Sequence, residues 1–131
     1  YLDAYNANPS SMRASLEGFV KWLKSKNIGI NDAWFILGDM NELGDRAPEY
    51  HKEVGQLVAS LGISHVFFIG RYREHYNKGF GGAAKVYENR DQFLVQHSRA
   101  GESWGCSAAF IKGSRTLQLE QLVDITLFPV L

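Results

Sequence analysis

A single cysteine, Cys106, excludes a disulfide within the chain and any multi-cysteine metal site. It stands just before an apolar run and reads as a small buried hydrophobe rather than a nucleophile. Neither charge is in excess: 14 basic residues balance 14 acidic ones. Without a basic surplus, nucleic acid is not expected as a main partner. The longest basic cluster, Arg71-Tyr72-Arg73, is too short to argue otherwise. No apolar run approaches the roughly 18 residues of a membrane span, and no signal peptide is visible. A reducing cytoplasm is therefore the expected location.

Several catalytic signatures are also missing. There is no G-x-x-x-x-G-K-[ST] loop, so the phosphate cradle that phosphoryl transfer requires is not encoded. The four histidines, His51, His65, His75 and His97, lack H-E-x-x-H spacing, and there is no G-x-S-x-G elbow. Gly79, Gly81 and Ala84 fit G-x-G-x-x-G/A. That fingerprint works where it follows a strand and opens a helix. Here it precedes a strand, and a flexible turn at Gly79 to Gly82 is expected.

What is present is a globular composition, 45% hydrophobic and 13% aromatic over 131 residues. This suits one domain, residues 1–131, burying roughly two-thirds of its unfolded surface. The chain begins Tyr-Leu-Asp, with a strand running at once into a motif, which suggests a fragment of a longer protein.

Short β-rich runs alternate with helical patterns. Strands are expected at Tyr1 to Ala4, Ala33 to Gly38, His65 to Gly70, Ala84 to Tyr87 and Ala108 to Ile111. Helices are expected from Asn8 as N-cap, with Pro9 at the first helical position, to Asn27; from about Pro48 to Gly62; over Tyr72 to Lys78; after a capping box at Asn89-Arg90-Asp91-Gln92; and from Leu117 to Leu127. Such alternation predicts an α/β, Rossmann-like domain, with a mostly parallel sheet of about five or six strands and helices on both faces. Ligands then collect at the carboxyl ends of the strands. Those ends are the loops at Asp3–Pro9, Gly38–Gly44, Gly70–Arg73 and Lys112–Arg115.

Three of these loops carry chemistry. Asp3 to Met12 (DAYNANPSSM) sets a carboxylate, amides and a phenol around a strand-to-helix turn. Such groups suit a ribose or a purine edge, or equally local capping. In Leu37 to Gly44 (LGDMNELG), Asp39 and Glu42 could receive an ammonium, or could bond loop amides. Lys112-Gly113-Ser114-Arg115 offers two cations, a hydroxyl and helix-start N–H groups to a carboxylate or phosphate, or is a solvated helix start.

Taken together, DAYNANPSSM, LGDMNELG with His51 downstream, and FIKGSR (Phe110 to Arg115) resemble the C-terminal domain of the Mur ligases. They are most similar to the members that join D-alanyl-D-alanine to a UDP-N-acetylmuramoyl-tripeptide in peptidoglycan synthesis. The resemblance spans about residues 2 to 126, with no signature between Tyr72 and His97. It implies an N-terminal domain for the UDP-sugar and a central ATPase domain holding ATP and Mg2+, both missing here. ATP phosphorylates the precursor's carboxylate, and the incoming amine attacks the acyl phosphate.

By position, the resemblance assigns Asp3, Tyr5, Asn6 and Asn8 to the nucleotide. It assigns Lys112, Ser114 and Arg115 to the incoming carboxylate, and Asp39 and Glu42 to its ammonium. No catalytic residue and no metal ligand is implied in this stretch, so the domain alone is expected to be inactive. A polyglutamate or cyanophycin synthetase-like ligase is the alternative, which the NANP and KGSR segments disfavour; a non-catalytic module for a small ligand is another.

Overall fold

The computed structural model describes residues 1–3, 8–97 and 104–123, with only the backbone of Asp3. Five strands form one parallel sheet: β1 (Leu2–Asp3), β2 (Ala33–Gly38), β3 (Val66–Ile69), β4 (Lys85–Tyr87) and β5 (Ala108–Lys112). Their spatial order is β1-β5-β2-β3-β4. The last strand therefore enters between the first and second, and the expected Rossmann-like architecture is present.

Side-chain alternation assigns the two faces. Phe35, Leu37, Phe68 and Phe110 face α1 (Pro9–Ser25), α2 (Ala47–Ser60) and α3 (Arg73–Phe80). Ile36, Phe67, Ile69 and Ile111 face the other way. There they meet Phe93 of α4 (Arg90–Gln96), Trp104, Leu119 and Leu122. Phe35, Phe68 and Phe110 are fully buried, so truncating any one to alanine is expected to cost about 3–5 kcal/mol.

Sequence signals explain the helix starts. Asn8 Oδ1 accepts the Ser11 N–H at 3.0 Å and Ser11 Oγ accepts the Asn8 N–H at 3.3 Å, a reciprocal cap with Pro9 inside it. At α4, Asn89 Oδ1 accepts the Gln92 N–H at 3.0 Å. The Gln92 side chain, however, takes the N–H of Glu88 at 2.7 Å and not that of Asn89, so the expected box is displaced by one residue.

Two expectations are corrected. Gly79 is not in a turn: α3 continues through Phe80 and ends at Gly81, with φ 114°. Asn77 then closes the turn, its backbone O accepting from Gly81 and Gly82 and its Oδ1 from Ala84. Gly79 is needed for packing, because a Cβ there would lie 2.0 Å from the Lys52 carbonyl oxygen. The fingerprint-like glycines thus serve a helix contact and a helix stop.

The second correction concerns the final helix. Over the described residues, two 3-10 turns, Arg115–Leu117 and Leu119–Leu122, replace it, broken at Gln118 (φ 50°). The turns let Leu119 and Leu122 both reach the sheet, where each is fully buried. The rest of the expected helix, 124–127, lies outside the described residues.

Candidate functional site

The strand order sets the carboxyl ends of β1, β5 and β2 side by side. β5 pairs with β1 on one side and with β2 on the other, so DAYNANPSSM, KGSR and LGDMNELG leave adjacent strands at the same carboxyl rim. In register, Lys112 lies between Asp3 and Leu37. Tyr5 and Asn6 lie outside the described residues. Asn8 is described, and its Oδ1 serves the α1 cap.

The β2 and β5 loops are joined backbone to backbone. Ser114 N–H donates to the Asp39 carbonyl at 2.9 Å. Gly38 and Gly113 face each other beneath Leu117 and Leu119: a Cβ on Gly113 would come within 3.0 Å of the Gly38 Cα and 2.6 Å of a Leu119 methyl. A side chain on either glycine would require Leu117 or Leu119 to shift.

The Asp39 carboxylate accepts the N–H groups of Arg71 and Tyr72, each at 2.9 Å, at the start of α3. Free helix N–H groups favour an anion there. Asp39 thus fastens the β3 loop to the β2 loop, over Gly70, where φ is 120° and a side chain would strike its carboxylate. Glu42 is exposed, with φ 60°. Lys112 and Ser114 are buried at 1% and 2% exposure, whereas Arg115 is exposed. Ser114 Oγ is 2.9 Å from Thr116 Oγ1.

Sequence reasoning named His51 only as a position in the resemblance, without a role, and gave Tyr76 no part in this rim. Tyr76 is fully buried and donates its hydroxyl to the Gly38 carbonyl at 2.7 Å. Burial pushes its phenol well above the ordinary tyrosine range. His51, also fully buried, accepts the Met40 N–H through Nε2 at 2.9 Å. Neither signal could have been found locally, since each bond joins residues 11 or 38 positions apart. Elsewhere Cys106 is half-buried, and burial raises its thiol pKa, which suits an inert side chain.

Burial lowers the pKa of His51, and, at the edge of the second core, that of His97. The folded state thus prefers both rings neutral. Their contribution to stability is complete above the ordinary value of about 6.5 and is lost as pH falls below it toward the lowered folded values. The melting temperature is expected to drop between pH 7.5 and 5.5; a flat or rising profile in calorimetry would contradict the neutral assignment.

A parallel sheet in the order β1-β5-β2-β3-β4, with helices packed on it, defines a Rossmann-like domain of the α/β class. The chain belongs to the Mur ligase family: residues 1–115 match the domain described as "Mur ligase, glutamate ligase domain". It is 33% identical over 128 residues to the UDP-N-acetylmuramoyl-tripeptide–D-alanyl-D-alanine ligase of Bacillus subtilis, covering 92% of this chain and 26% of that protein. The corresponding ligase of Mycobacterium tuberculosis H37Rv is 39% identical over 71 residues, which are 54% of this chain and 14% of that one. Among solved structures, MurF from Acinetobacter baumannii superposes with a TM-score of 0.71 at 28% identity, over 92% of this chain and 26% of that one. The chain thus spans about a quarter or less of the length of these relatives.

Proposed function

We propose that the chain acts as the C-terminal, incoming-substrate domain of an ATP-dependent ligase. That ligase joins D-alanyl-D-alanine to a UDP-N-acetylmuramoyl-tripeptide in cytoplasmic peptidoglycan synthesis. One observation carries this reading: the three loops that resemble the ligase segments leave the neighbouring strands β1, β5 and β2. Similarity to ligases named for that reaction supports it over most of the chain.

In this reading Asp3, Tyr5, Asn6 and Asn8 serve the nucleotide. Lys112, Ser114 and Arg115 form the end that receives the dipeptide carboxylate. Asp39 and Glu42 form the acidic end. The rim binds and orients; a carboxylate is neutralised by a cation, leaving the amine to point away toward the reacting carbon. Mg2+ is assigned, with the ATP phosphates, to the central domain. The UDP-sugar and ATPase domains are placed outside these 131 residues, and carboxylate activation with them.

The test uses the ligase carrying this domain and, beside it, the 131-residue chain alone, with phosphate release as readout. The ligase is expected to release phosphate with the UDP-tripeptide and D-alanyl-D-alanine but not with glutamate. The chain alone is expected to release none. Phosphate release by the pure chain, or a preference for glutamate, would refute the assignment.

A further inference from the structure

His51 sits 11 residues beyond Met40, inside α2, with its ring wholly shielded from solvent. Its Nδ1 lies 2.6 Å from the Ala47 carbonyl oxygen, which can only accept, so the proton is on Nδ1. Nε2 is therefore bare and accepts the Met40 N–H. The ring lies flat against Tyr72 (centroids 4.2 Å, 21°) and meets the edge of Tyr76 at 4.9 Å. Its tautomer and orientation are thus fixed from three sides.

Met40 is buried and Leu43 half-buried, whereas Asn41 and Glu42 between them are exposed. The Met40 amide is the base of an outward tip. We propose that His51 is the positioning residue of this loop: its unprotonated Nε2 holds the Met40 N–H, and so sets the tip that presents Glu42 to the ammonium of the incoming substrate. The inference rests on the reading of this rim given above.

Protonation would place N–H against N–H and release the tip. Burial opposes that charge most, the Ala47 carbonyl and Asp39 from the loop favour it, and His75 from α3 opposes it; the Tyr76 phenol, pushed up by burial, stays protonated against the ring. The loop is therefore held at neutral pH and loosened in acid.

Two substitutions separate positioning from mere support. His51→Gln can offer an amide oxygen near the place of Nε2 but does not titrate; His51→Leu fills the space with no acceptor. In the full-length ligase, His51→Leu is expected to raise the dipeptide KM about tenfold and leave the ATP KM within about threefold. His51→Gln is expected to stay within about threefold of wild type at pH 8 and to flatten the rise in dipeptide KM that the wild type shows in acid. An unchanged acid profile in His51→Gln overturns the proposal, as does an unchanged dipeptide KM in His51→Leu. Should His51→Leu fail to fold, the His51→Gln profile decides alone.

Amide exchange at Met40 in the 131-residue chain reads the hold without any substrate. Once corrected for intrinsic pH dependence, protection is expected to fall at least tenfold on acidification in wild type, but not in His51→Gln; equal behaviour overturns the inference. A wild-type ligase that ignores D-alanyl-D-alanine would instead refute the function, and the same KM comparison would then be made with the amine it accepts.

Discussion

Replacing Gly55 or Gly79 with alanine is expected to cost the domain about 3 kcal/mol or more, lowering its melting temperature by roughly 10 °C. α2 and α3 approach so closely that a Cβ at Gly55 would lie 2.0 Å from the Tyr76 carbonyl oxygen, and one at Gly79 equally close to that of Lys52. Both obstacles are backbone, which cannot swing aside as a side-chain tip would. Alanine also improves helix propensity by about 1 kcal/mol at each site, so the sign of the result is a direct contest. Gly18 is the control: it lies within α1, and a Cβ there meets nothing within 4 Å. Gly18→Ala should leave stability unchanged or raise it. If all three variants melted alike, the close approach of α2 and α3 would be wrong.

The second large effect concerns ligand binding. In the full-length ligase, Arg115→Ala is expected to raise the KM for D-alanyl-D-alanine at least tenfold while ATP stays within about threefold, because a charge-assisted contact contributes about 1.5–3 kcal/mol. Arg115 is the exposed cation of the KGSR segment. Lys112 is the buried one, at 1% exposure and flanked by Asp3 and Leu37 in the sheet. Lys112→Ala is therefore expected to act first on stability. Thermal melting beside steady-state kinetics distinguishes the two: an Arg115→Ala enzyme with normal dipeptide KM would remove this residue from the site.

Much of the architecture was legible in the sequence because its signals are local. AWFILG and HVFFIG are continuous apolar runs, as strands covered on both faces require, and Asn8-Pro9 marks a helix start by side-chain chemistry alone. The last helix was expected because Leu119, Leu122, Val123 and Thr126 recur at helical spacing. The chain instead kinks at Gln118, and Leu117 and Leu119 cover Gly38 and Gly113, a demand set by residues far away in sequence. The rim was legible in part. The residue types in its loops suggested ligand chemistry, yet two of them turn out to bind the protein itself: Asp39 fastens the β3 loop, and the amide oxygen of Asn8 caps α1. His51 was visible only as a position in a resemblance. Its work depends on a Met40 amide that no periodicity points to.

The insertion of β5 between β1 and β2 has a bearing on how the molecule comes into being. β2, β3 and β4 pair in sequence and can assemble as they are made, whereas among the described residues β1 pairs with β5 alone. On these pairings β1 gains its strand partner only once β5, roughly a hundred residues later, has been made. The β5 and β2 loops can meet only when the chain has grown past Ser114, whose N–H reaches the Asp39 carbonyl. A chain cut before β5 is thus expected to keep the β2-β3-β4 pairing and to lose the contact between the β2 and β5 loops.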